Sequence, residues 1–144
     1  MNMKNNTKTL DKKIKKEVKG GNVKSAIELC QISLQKDPTN PDLHLRLGDL
    51  YLAWHLDIYS SCQYIDEAIT EYQIALESKI DSAEIYYKIG IAQFYKGDLD
   101  KAINYFDNAV KKDQKFAKAY HMLAETYTKK ARFLDAEINA KKAI

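Results

Sequence analysis

Three histidines and two cysteines are the residues of this chain best suited to metal or nucleophilic chemistry: His44, His55, His121, Cys30 and Cys62. A bound metal needs His or Cys donors paired at helical or turn spacing. Only His55 and Cys62, seven residues apart across an expected turn, come near that, and an ordinary surface or core role competes with it. Glu67, Glu71 and Asp100 fall on expected outer helix faces and read as solvated charge. Neither a phosphate-cradling glycine loop nor a nucleophile elbow occurs. These residues predict no catalytic centre, no cofactor and no metal site. What remains is charge. Residues 1–24 carry eight lysines against Asp11 and Glu17, a net +6 within a chain of net charge +3. The lysines encircle a helix rather than lining one stripe, and no aromatic is interleaved to stack a base, so nucleic acid is not the expected partner.

Composition narrows the class further. Five Gly and two Pro in 144 residues, with few β-branched runs, predict helices throughout. Two cysteines make no disulfide framework, which suggests a reducing compartment and a cytoplasmic location. No apolar run reaches the length of a membrane span, and the polar start "MNMKNNTKTL" lacks the apolar stretch of a signal peptide.

Internal repetition supplies the elements that position the side chains. "KGDLDKAINYFDNAV" (96–110) aligns with residues 19–34, 64–76 and 131–144, and each copy keeps an alanine: Ala26, Ala68, Ala102 and Ala136. Four residues later stand Cys30, Tyr72, Phe106 and Ala140, and three further Ser33, Ala75, Ala109 and Ala143. A small–large–small stripe at i, i+4, i+7 is one face of a helix that a neighbour approaches closely. A second pattern precedes each copy, with Leu47-Gly48, Ile89-Gly90 and Leu123-Ala124 in register. Glycine inside a helix costs about 1 kcal/mol relative to alanine, so its recurrence predicts a contact too tight for a side chain. Gly97 is placed to end one such helix in the left-handed conformation.

Ala102 and Ala136 are 34 residues apart, as are Ile89 and Leu123. With Tyr86, Ile89, Gly90, Gly97, Ala102, Phe106 and Ala109 at signature positions of residues 83–116, the chain resembles the tetratricopeptide repeat family. That copy departs from the pattern at Gln93, where Tyr is usual, and at Gln114, where Pro is usual. Residues 1–6 read as a flexible basic tail, and residues 7–144 as repeats at 7–40, 41–82, 83–116 and an incomplete 117–144. Lys13-Ile14 stands where Leu-Gly is expected in the first. The second is eight residues too long, Ala26 to Ala68 being 42. This predicts an elongated hairpin with Trp54, Ile58 and Tyr59 near its tip and Ser60 or Ser61 capping its second arm.

The resemblance implies an all-α, right-handed superhelical solenoid of antiparallel hairpins whose first helices line a concave groove. Counting along those helices places Lys12, Lys15, Leu45, Arg46, Asp49, Tyr87, Lys88, Ile91, Phe94, Tyr95, His121, Met122 and Glu125 in that groove. Lys12, Arg46 and Lys88 share one repeat position and suggest a basic ladder for carboxylates. Tyr87, Ile91, Phe94 and Tyr95 suggest an anchor for apolar side chains. The positions with which some family members clamp a chaperone's C-terminal carboxylate hold Asp11, Lys15, Arg46, Glu84 and Lys88 here. Two have the wrong charge, so that activity is not expected. The expected function is a non-catalytic scaffold for a protein or peptide partner with acidic and apolar side chains. The alternatives are self-association, including a homodimer through the C-terminal repeat, and a regulatory segment of a larger protein.

Overall fold

A computed structural model describes residues 3–58, 63–78 and 82–144, and among them every regular element is a helix. These are α1 (Met3–Lys19), α2 (Val23–Lys36), α3 (Pro41–Ile58), α4 (Gln63–Glu77), α5 (Ala83–Lys96), α6 (Leu99–Lys112), α7 (Ala117–Lys129) and α8 (Phe133–Lys142). α1 starts inside the stretch expected as a tail. The chain forms two compact units, residues 1–78 with α1–α4 and residues 79–144 with α5–α8. No described helix is long and apolar enough to cross a membrane.

Within each unit, consecutive helices run antiparallel. Between α3 and α4, Tyr51 meets Tyr64 and His44 meets Glu71, so contacts advance along one helix as they retreat along the other. The repeated alanines explain how close the arms come: Ala26, Ala68, Ala102 and Ala136 are all buried. Opposite them, Gly48 and Gly90 give the large ring of each hairpin its room. A Cβ on Gly48 would lie 2.6 Å from Tyr72 Cε1, and one on Gly90 would lie 2.5 Å from Phe106 Cε1. The first hairpin solves the same problem in reverse, with the buried Ile14 in the glycine position and the buried Cys30 in the ring position. Burial pushes the Cys30 thiol up to about 11, Arg46 opposing and Asp11 and Glu71 adding to the shift, so it stays a protonated, inert filler.

The turns share one device. Gly97 sits at φ 89°, and the Asp98 amide reaches back to the Gln93 carbonyl at 3.0 Å. Gly21 repeats the arrangement at φ 77° with Asn22 bonded to Glu17 at 2.8 Å. Ala131 repeats it at φ 56° with Arg132 bonded to Tyr127 at 2.9 Å. Glycine adopts this left-handed cap freely, whereas Ala131 holds it against Cβ strain of about 1 kcal/mol. In the second hairpin the corresponding residue is His55, which is helical, so α3 runs on for four more residues to Ile58. Two more of the eight extra residues extend the start of α4. Tyr59, Ser60, Ser61 and Cys62, and with them the expected tip, caps and His55–Cys62 pair, lie outside the described residues.

Candidate functional site

In the first unit, three of the expected site residues come together. Leu45, Arg46 and Asp49 of α3 line a cavity of roughly 460 Å³ with Leu10, Asp11, Asn40, Asp42 and Leu43. The local sequence builds it. Pro41 starts α3 with a fixed φ and no amide hydrogen to satisfy. Asn40 then takes the amides of Asp42 and Leu43 on its Oδ1 at 3.1 and 3.2 Å. This sets the first turn of α3 beside α1, and Leu45, Arg46 and Asp49, spaced at i, i+1 and i+4, turn toward the same space.

The electrostatics depart from the basic ladder. The Arg46 guanidinium lies 2.9 Å from the Asp11 carboxylate, both groups partly exposed. Asp49 accepts a bond from the Tyr72 hydroxyl at 2.8 Å, which ties the cavity wall to the ring packed against Gly48. Arg46 is thus offset by Asp11, and the cavity lining carries three aspartates to one arginine. Lys12 and Lys15 are exposed on α1 and do not line it. Lys88 is half-buried on α5 in the second unit, where it has an interaction of its own.

The aromatic patch of the second unit is also different from the expectation. Phe94 is 7% exposed and Met122 is 8% exposed, and both belong to a core cluster with Ala102, Phe106 and Leu123. Neither is a surface contact. The reason is that α5 packs against α7 as well as α6, so the stripe carrying Tyr87, Ile91 and Phe94 meets another helix. Tyr87 and Ile91 pack half-buried against that cluster, and the Tyr87 ring stands 6.0 Å from Phe106 and 5.2 Å from Phe116. Burial, then the nearby Glu84 and Tyr95, raise the Tyr87 hydroxyl above its ordinary value. The Lys129 ammonium sits 4.6 Å above the Phe94 ring. Tyr95, His121 and Glu125 remain exposed.

Two arrangements in the first unit were not expected. His44 is buried between α3 and α4, with Glu71 and the Pro38 carbonyl at its two ring nitrogens. Its partner lies 27 residues away on the opposite arm, so a search at helical spacing passes over it. A second cavity, of roughly 390 Å³, lies against Tyr51, Trp54 and Tyr64. Its signal was the length of the second hairpin. Among the described residues, no group of three His, Cys, Asp or Glu side chains is placed to hold a metal ion.

Comparisons place this architecture. Residues 83–116 match the family model of the tetratricopeptide repeat, and residues 57–97 match a second model, described as TPR repeat. No curated protein matches the chain in sequence. The crystal structure of MamA is similar at a TM-score of 0.76 and 26% identity, over 90% of this chain and 71% of that one. TTC0263, a thermophilic TPR protein of Thermus thermophilus, gives 0.75 at 20% identity over 90% and 68%. A tetratricopeptide repeat protein from Parabacteroides merdae gives 0.78 at 20% identity over 94% and 51%. The last two likenesses concern the fold alone, an all-α solenoid.

Proposed function

We propose that this chain, a member of the tetratricopeptide repeat family, is a non-catalytic scaffold that holds a peptide segment of a partner along the first helices of its hairpins. The observation that carries the reading is the cavity beside α1 and α3, which mixes Leu10, Leu43 and Leu45 with Asp42, Arg46 and Asp49. Apolar walls with a few placed polar groups bind a side chain and fix its orientation. Because Asp11 offsets Arg46, the entering side chain is apolar or cationic rather than acidic. The double variant Leu45→Arg, Asp42→Lys should retain its helicity, since Leu45 is half-buried and Asp42 exposed. It should recover at least about tenfold less partner in a quantitative pull-down, the loss expected when a central apolar anchor and its charge are removed. Equal recovery by parent and variant would sink the reading.

A second reading, self-association, is favoured by α8. Phe133 is 68% exposed, Leu134 72% and Ile138 45%, an apolar face that no described part of the second unit covers. Such a face is a candidate contact for a second copy. Light scattering over a concentration series should then show a mass that rises with concentration and a Leu134→Glu variant that stays monomeric. A parent that scatters as a monomer throughout the series removes this reading and leaves the first intact.

A further inference from the structure

The second cavity of the first unit lies between α2, the later half of α3 and the start of α4, away from the residues of the proposed peptide site. It is lined by Lys24, Ile27, Glu28, Gln31, Tyr51, Trp54, Tyr64 and Glu67. Among these, Tyr64 stands 6.2 Å from the Tyr51 ring in a stacked arrangement and 6.0 Å from the Trp54 ring. Gln31 donates to the Tyr51 hydroxyl at 3.0 Å and holds that ring in place. Glu67 lies one turn beyond Tyr64 on α4, and Glu28 and Gln31 lie one turn apart on α2. We propose that this cavity is a separate binding site that takes the cationic side chain of an arginine or lysine from a basic peptide segment.

Three observations lead there. Aromatic faces attract an organic cation through their negative quadrupole, and carboxylates at the rim add charge without filling the space. Burial raises the Tyr51 hydroxyl, and the charge of Glu67 follows as the next cause, so a negative field reaches the ring wall. Second, rings in the other unit are covered by the chain's own cations: Lys129 over Phe94, Arg132 over Tyr127 and Lys142 over Tyr120. Among the described residues no such contact forms at Tyr51, Trp54 or Tyr64, although Lys24 stands on the rim. Third, the scaffold does not require Trp54 or Tyr64. In the third repeat their positions hold Lys96 and Asp98, and that hairpin closes without them, whereas Tyr51 keeps the tyrosine usual at its place in the repeat. Tyr64 belongs to the two residues by which α4 is extended, so the wall exists only because this hairpin is long.

Trp54 is the only tryptophan of the chain, and its emission reports the site directly. A capped Gly-Gly-Arg-Gly-Gly peptide should change that emission saturably, and the same peptide with neutral citrulline in place of arginine should not. A Glu28→Gln, Glu67→Gln double variant should bind the arginine peptide about tenfold more weakly or worse, with unchanged helicity. Tyr64→Leu, with its helicity checked in the same way, should weaken it further. Equal responses to arginine and citrulline peptides, no saturable response, or full binding by the glutamine variant would each overturn the proposal. So would emission that moves with protein concentration alone, because the cavity would then be filled by a second copy.

Discussion

Gly90→Ile should destabilise the second unit by about 3 kcal/mol, and adding Phe106→Cys should recover most of that loss. The Cβ alone would stand 2.5, 2.6 and 3.1 Å from Phe106 Cε1, Cδ1 and Cζ. That ring is fully buried, with the Tyr87 ring packed against it, so it has no open side to move into. Helix propensity runs the other way by roughly 0.5 kcal/mol, since glycine is the poorer helix former, and is too small to matter. Phe106→Cys alone should also destabilise, by about 3 kcal/mol, because it leaves a cavity. The double variant copies the Ile14 and Cys30 pair by which the first hairpin already folds. Denaturant melts of the parent, both single variants and the double variant should therefore show strong favourable coupling. Losses that simply add would mean that positions 90 and 106 do not share one space, and the packing account of the repeat would fail.

The features legible in the sequence are those whose physics is confined to one hairpin. A glycine facing a ring, a buried alanine at each crossing and a left-handed turn residue each leave a mark at fixed spacing, so Gly90, Ala102 and Gly97 could be placed. The eight-residue excess was visible for the same reason, although how much of it extends α3 depends on His55 continuing the helix. Contacts between hairpins leave no such mark. Phe94 and Met122 occupy positions on helix faces that look open until α7 is laid against α5. Arg46 reads as a free cation until α1 brings Asp11 to it. The aromatic cavity escaped because Tyr51 and Tyr64 belong to different arms, and only the length of the second hairpin hinted that they meet.

Raising the pH from about 6 toward 9 should weaken the first unit, and His44→Gln should abolish most of that dependence. The His44 ring is 7% exposed, with its Nδ1 at 2.6 Å from Glu71 Oε2 and its Nε2 at 2.9 Å from the Pro38 carbonyl oxygen. Both neighbours are acceptors, and only the imidazolium has a donor on each nitrogen. Burial is the largest influence and favours the neutral ring, but the bond to Glu71, the bond to Pro38 and the charge of Glu71 together outweigh it. The net result lifts His44 above its ordinary 6.5. A group whose folded value is raised contributes its full stabilisation below the unfolded value, and loses it as pH climbs through the folded one. The clamp should therefore be intact below about pH 6.5 and released progressively above it. Pro38 lies in the turn between α2 and α3 and Glu71 on α4, so release loosens the corner that joins the two hairpins of this unit. Removing the ring with His44→Ala should cost about 2 kcal/mol or more at pH 6, because Glu71 is left largely desolvated without its partner. Trp54 emission follows unfolding of this unit alone, which makes urea melts at several pH values a direct measurement. A flat profile in the parent, or the same slope in His44→Gln, would show that the ring does not carry a proton on both nitrogens in the folded chain.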